Sequence, residues 1–188
     1  MILSRCIKIV RLVLMTPFLP IILCCYYKHK AIVDMDIIRS RQSGGGITLI
    51  YSMLDEKSFR NVFYHRIGIM GKFLNTFFRG VNTLYIFDEC KIDGGLQITH
   101  GTSTYVNAES IGKNCTINQN VTIGVSKGGK KPIIGNNVTI RTGAIVVGGI
   151  TIGDNALIAA GSVVIRDVPA NCMVAGNPAV VKKEFAHN

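Results

Sequence analysis

The chain has 188 residues, 48% of them hydrophobic and only 17% charged, with a net charge of +10. That length fits one domain, or one domain with an N-terminal appendage. The charge is uneven: residues 1–80 hold twelve Lys/Arg against four Asp/Glu, and residues 81–188 hold nine against seven. A basic segment that is also apolar suits an anionic membrane surface. It argues against a nucleic-acid binder, whose basic patches are polar and interleaved with aromatics. Of the six cysteines (Cys6, Cys24, Cys25, Cys90, Cys115 and Cys172) none forms a CxxC pair, and no His/Cys cluster has zinc spacing. They read as reduced intracellular thiols, with no metal site.

From Leu12 to Tyr27 the chain reads LVLMTPFLPIILCCYY, sixteen residues without a charge, preceded by Arg5, Lys8 and Arg11 and followed by Lys28, His29 and Lys30. A spanning helix needs about 20 apolar residues, and Pro17 and Pro20 interrupt this one. No A-x-A-like cleavage site or lipobox-like residue marks it as a signal peptide. Two readings stay open: a broken helix dipping into one leaflet with its basic flanks on headgroups, or a helix packed on its own domain or a sister subunit.

Residues 31–80 read as helices and loops. DMDIIRS is a helix start, SGGG at 43–46 a break, and ITLIYSML a second apolar stretch. EKSFRNVFYHRIGIMGKFLNTFFRG places Phe59, Phe63, Ile67 and Met70 on one helical face with Arg60, Arg66 and Lys72 off it, an amphipathic helix. His65 reads as a surface or helix histidine without a role.

Beyond residue 84 a new period begins. Aliphatics fall at Ile86, Ile92 and Ile98, at Ile111, Ile117 and Ile123, and at Ile134, Ile140, Val146, Ile152, Ile158 and Val164, the last run at a constant spacing of six. Neither helix nor strand periodicity generates six. IGKN, IGNN and IGDN put a Gly-X-Asn corner after the aliphatic residue, and Gly and Asn accept unusual corner conformations most cheaply. The pattern predicts stacked coils of short parallel strands, each sending one branched side chain inward. It breaks twice. Ile98 to Ile111 is thirteen residues, just after His100, and Ile123 to Ile134 is eleven, across GVSKGGKKPI with Gly128-Gly129 and three lysines. Irregularities in a regular coil are where function is expected, although the second break also reads as a plain surface loop.

These repeats, together with GGLQITHGT, NVTIG, IIGNNVTIRTGAIVVGGITIGDNALIAAGSVV and DVPANCMVAGNPAVVKK, resemble the left-handed parallel β-helix acyltransferases over about residues 84–183. Within that family they resemble the serine O-acetyltransferases and the O-acetyltransferases of surface-polysaccharide clusters. The resemblance implies a mainly β fold, a hexapeptide β-helix at 81–188, behind an α-helical N-terminal region at 1–80 that meets a membrane surface or a trimer contact. It further implies a homotrimer with active sites between subunits, no bound cofactor, and acetyl-CoA as co-substrate in the cytoplasm, at the inner face of the membrane if the first segment binds lipid.

Acetyl transfer to a hydroxyl needs a base, because the hydroxyl is a weak nucleophile at neutral pH; an imidazole suits that work. By resemblance that base is His100, and Gly124 of NVTIG is the candidate backbone donor to the oxyanion. Acetyl-CoA would contact Gly143, Ala144, Ala159, Ala160 and Gly161, with Lys182 and Lys183 as candidates for its phosphates; a solvated tail is the equal alternative for the two lysines. Lys127, Lys130 and Lys131 suit phosphates or an anionic acceptor. Where serine acetyltransferases carry two aspartates and an Arg-His pair for His orientation and serine binding, this chain has Tyr85, Thr99, Lys130 and Lys131. Asp88, Glu89, Asp93 and Glu109 are the carboxylates left to orient His100. The departures favour a sugar hydroxyl on a surface-glycan precursor, with a lipid-linked acceptor as partner. L-serine, for cysteine biosynthesis, is the alternative, and a catalytically inactive assembly module is a third reading from another class.

Overall fold

The computed structural model describes residues 2–41 and 44–185; the side chains of residues 2–6 and 41 lie outside the described ones, Arg5 and Cys6 among them, as does Ser43 of the SGGG break. Six helices come first: α1 (Ile2–Met15), α2 (Leu19–Lys28), α3 (Lys30–Arg41), α4 (Gly46–Asp55), α5 (Lys57–Ile67) and α6 (Ile69–Phe77). Pro17 and Pro20 act where their missing N–H groups and fixed φ place them: a 3-10 turn, Thr16–Phe18, separates α1 from α2. Met15, Ile22, Tyr26, Ile37, Leu49, Met53, Phe63 and Leu74 fill the helical core.

Two expectations need correction here. The amphipathic helix is two helices, because Gly68 takes φ +59 and ends α5. Arg60 and Arg66 do not point to solvent: Arg60 is buried, and Arg66 is ion-paired to the buried Asp36 at 3.1 Å.

From Leu84 on, the chain winds as a parallel β-helix of triangular section, as the hexapeptide period predicted. The first face stacks β1 (Leu84–Ile86), β4 (Thr104–Val106), β7 (Thr122–Gly124), β10 (Ile145–Val147) and β13 (Val163–Val164). The second stacks β2 (Lys91–Ile92), β5 (Ser110–Ile111), β8 (Ile133–Ile134) and β11 (Thr151–Ile152). The third stacks β3 (Gln97–Ile98), β6 (Thr116–Ile117), β9 (Thr139–Ile140), β12 (Leu157–Ile158), β14 (Cys172–Gly176) and β15 (Ala179–Glu184). All pairings are parallel except the closing β14–β15 hairpin. Ile134, Ile140, Val146, Ile152, Ile158 and Val164 are all buried, so each six-residue step contributes one inward branched side chain.

The corners explain the Gly-X-Asn signature. Asn114, Asn137, Asn155 and Asn171 all take φ between +56 and +59 at the edge joining the second face to the third. There they stack: the Asn137 amide donates to Asn155 at 3.0 Å, and Asn155 donates to Asn171 at 2.7 Å. Asparagine tolerates the left-handed region and spends its amide on the next coil.

The helical region docks on the first coils through Asp36. Its carboxylate accepts from Arg66 and from the N–H groups of Gly95 (2.8 Å) and Leu96 (3.0 Å), while Arg66 also donates to the carbonyls of Ile92 and Asp93. Cys24, Cys25, Cys90, Cys115 and Cys172 are free thiols. Burial pushes Cys115 up to about 11, so it is an inert core residue.

Candidate active site

The break after Ile98 is a local device. Ile98 to Val106 is an eight-residue step and Val106 to Ile111 a five-residue one, so the corner between β3 and β4 carries two extra residues. His100 sits in that bulge, exposed, with φ +64. Gly101 N–H donates to Thr99 O at 2.8 Å, which makes His100 the central residue of a γ-turn of the rare handedness. Among the described residues, His100 and Ser103 are the only positive-φ residues other than Asn and Gly. Such backbone persists only where the surroundings impose it. Here they do: Ser103 N–H donates to Thr83 Oγ1 at 3.0 Å, Thr104 N–H donates to Thr83 O at 3.1 Å, and Thr104 is buried. Gly101 has no room for a side chain; a Cβ would stand 2.9 Å from Ser58 Oγ and 3.0 Å from Leu84.

The same edge continues upward as a ladder of small and polar turns. Asn120 N–H donates to Thr102 O, Gly143 N–H to Gln119 O and Gly161 N–H to Thr142 O. Gly143, Ala144, Ala159, Ala160 and Gly161 therefore share one prism edge with His100. Three coil steps of about 4.8 Å put Gly161 about 14 Å from the histidine corner. Arg141 is exposed on this edge, a cation the sequence reading missed; it follows the buried Ile140 directly in the repeat. Lys182 and Lys183 are not on it. Lys183 pairs with Met173, whereas the end of β14 that reaches this edge is Gly176, paired with Ala179.

Below His100, towards the helices, two clefts meet at the imidazole. One, of about 500 Å³, is lined by Asp36, Asp55, Glu56, Lys57, Ser58, Thr99 and His100 among others. The second, of about 410 Å³, is lined by Lys57, Arg79, Gly80, Val81, Asn82, Thr83, His100 and Thr102. All the carboxylates lie in the first; the second has two cations and none. Sequence reasoning missed Asp55, Glu56, Lys57 and Arg79 here, because nothing local marks a helix end as the neighbour of a coil corner tens of residues away.

None of the four candidates for a carboxylate orienting His100 lines either cleft. Asp88 is paired with Lys72 and Glu89 with Lys131 (2.7 Å), Lys91 stands 3.9 Å from Glu109, and Asp93 offers its carbonyl to Arg66. No side-chain hydrogen bond to the imidazole occurs among the described residues. Tyr85 points outward on the first face, 6.4 Å from the Tyr105 ring, and lines a separate cleft of about 370 Å³ with Asn61, Lys72, Asn75 and Asp88. Gly124 ends β7 at the opposite border of the first face from the His100 corner, and Lys127, Lys130 and Lys131 follow it in the protruding loop. Within one chain, His100 and Gly124 thus lie on two different edges.

Comparison with known proteins agrees with this fold. Residues 131–166 match the family model described as bacterial transferase hexapeptide (six repeats). The crystal structure of Neisseria gonorrhoeae serine acetyltransferase in complex with serine superposes with a TM-score of 0.67 and 32% identity, over 82% of this chain and 69% of that one. The chain belongs to the serine acetyltransferase family. A second family structure, serine acetyltransferase from Brucella abortus in complex with coenzyme A, has a TM-score of 0.67 and 27% identity over 87% of this chain and 70% of that one. Serine acetyltransferase from Synechococcus elongatus is 36% identical over 121 residues, which is 62% of this chain and 50% of that family member. The chain thus spans about half the length of that relative.

Proposed function

We propose that the protein is an acetyl-CoA-dependent O-acetyltransferase acting on the hydroxyl of L-serine, with His100 as general base. The observation that carries this reading is the position of His100, between a small-residue edge on one side and two clefts on the other, the first lined by carboxylates with Lys57 and the second by Lys57 and Arg79 without a carboxylate. The edge suits the extended arm of acetyl-CoA, with Arg141 a cation along it. A zwitterionic amino acid suits the clefts, its ammonium towards the carboxylate-lined side and its carboxylate towards Lys57 and Arg79. Family structures that hold serine and coenzyme A support these two substrates as classes. They favour serine over the glycan hydroxyl that the altered motif positions suggested.

In this mechanism the neutral imidazole takes the serine hydroxyl proton as the oxygen attacks the thioester carbon. The tetrahedral oxyanion collapses with cleavage of the C–S bond, and the imidazolium returns the proton to the departing thiolate. Both substrates are held together, so no acyl-enzyme is needed. Gly124 and the loop lysines are too far along the first face to serve the His100 of their own chain. A homotrimer, in which each loop edge faces the histidine edge of the next copy, would complete the site; such head-to-tail contacts close into rings.

The test is thiol release from acetyl-CoA with L-serine as acceptor. Wild type should release CoA only with serine present, and His100→Ala should lower kcat by about 10²–10⁴-fold while still binding acetyl-CoA. Equal rates in the two proteins would remove His100 from the chemistry. A sugar hydroxyl stands as the second reading because Tyr85, Phe87 and Tyr105 form an aromatic group on the first face, with Phe87 and Tyr105 rings 4.8 Å apart, and exposed aromatic faces suit sugar rings. Transfer to a sugar and none to serine would favour it.

A further inference from the structure

We propose that the helical region seats the protein on an anionic phospholipid surface, lying on the bilayer without crossing it. Ile7–Lys28 is the one stretch among the described residues long and apolar enough to cross a membrane, with a mean hydropathy of 2.1, yet only 17% of its most apolar window is buried in the fold. Along α1, Ile9, Val13 and Leu14 are about 60% exposed, at 61%, 63% and 60%. On α6, Ile69, Phe73 and Phe77 recur every four residues as a second exposed stripe, at 84%, 47% and 53%. Phe18, at the proline break, joins the two: its ring lies 4.8 Å from Phe77 and 6.3 Å from Phe73. A soluble monomer rarely leaves so much contiguous apolar surface without an occupant.

Packing decides between lying and spanning. Met15, Ile22 and Tyr26, from the same stretch, are buried in the helical core. Threading α1 and α2 through a bilayer would pull these side chains out of that core. The arrangement fits an interfacial segment, apolar face down and cations at headgroup level.

Charge decides between a lipid surface and a second copy. Residues 1–80 carry a net charge of +8. Their three aspartates are engaged: Asp34 with Lys30, Asp36 with Arg66, and Asp55 with Lys8 at 2.9 Å. A two-fold contact through this region would set the excess cations of one copy against those of the other, whereas anionic headgroups attract them. Arg11 and Lys28 stand at either end of the apolar stretch.

The experiment is flotation of the full chain with vesicles of phosphatidylcholine alone, or with added phosphatidylglycerol, at low and high salt. Binding should require the anionic lipid and weaken with salt. Arg11→Gln and Lys28→Gln should each weaken partition about five-fold, the equivalent of about 1 kcal/mol per cation. Val13→Glu, an exposed position whose folding is checked by the thermal transition, should weaken it more than ten-fold. The proposal is overturned if the protein ignores both vesicle types, or binds them equally and independently of Val13. An oligomer that dissociates on Val13→Glu, without vesicle binding, would instead assign the face to a second copy.

Discussion

Asp36→Ala tests what holds the helices to the coil. In the folded protein the Asp36 carboxylate receives two backbone N–H groups at 2.8 and 3.0 Å and the Arg66 guanidinium at 3.1 Å, with side-chain exposures of 1% for Asp36 and 6% for Arg66. Truncation leaves a buried cation without its counter-charge and two amides without an acceptor. Breaking one side of a buried pair costs about 3–5 kcal/mol. For a chain of this size each kcal/mol moves Tm by about 2–4 °C, so the variant should melt about 6–20 °C lower by calorimetry or circular dichroism. Arg66→Met removes the stranded charge, so the double variant should lose at least about 1 kcal/mol less than the sum of the single losses. A single-variant loss below about 1 kcal/mol, or strict additivity, would show that apolar packing docks the helices and that the ion pair is incidental.

Asn155→Ala should cost about 2 kcal/mol in urea unfolding, because it puts a Cβ-bearing residue without a helpful amide at φ +59 and removes two ladder bonds. Asn155→Gly, which keeps the conformation, should cost less; the reverse order would discount the backbone argument. His65 donates from Nε2 to Cys90 O at 3.0 Å, and burial pushes its pKa below the ordinary value. A depressed histidine contributes stability that is complete above its unfolded pKa of about 6.5 and is lost as pH falls through the folded value. Melting from pH 7.5 to 5 should therefore show an acid-side loss that His65→Gln reduces, and parallel curves would exclude this group. Lys57→Met and Arg79→Gln should each raise KM for L-serine about ten-fold, with KM for acetyl-CoA unmoved, since a hydrogen bond to a charged group contributes about 1.5–3 kcal/mol. An unchanged preference for serine over serinamide would place the acceptor carboxylate elsewhere.

The coil was legible because each of its positions obeys a local rule. An inward residue every sixth position must be aliphatic, and a corner in the left-handed region selects Asn or Gly, so Ile140 and Asn155 announce themselves by spacing alone. The bulge at His100 showed as a thirteen-residue step, although its division into eight and five needed the pairing of Val106 with Ile86 and Ile123. The helical half hid its contacts. Asp36 meets Gly95 and Leu96 about sixty positions later, and no periodicity spans that distance. Apolar spacing from Phe59 to Met70 outweighed the one glycine that ends the helix, and Arg60, charged in sequence, lies buried.

That asymmetry bears on specificity. The γ-turn that presents His100 is held by Thr99, Gly101 and Thr83, and the edge above it by backbone bonds between coils; both follow from the repeat and do not depend on α1–α4. The charges beside the imidazole come from the α4–α5 junction at Asp55, Glu56 and Lys57 and from Arg79 in the connection to β1. Under the proposed function, acceptor recognition would change by substitutions in the helical half while His100 and the small-residue edge stay fixed. At the aspartate positions of the family pattern the coil carries Tyr85 and Thr99, and the carboxylates that line a cleft with His100 come from the helices instead, at Asp36, Asp55 and Glu56.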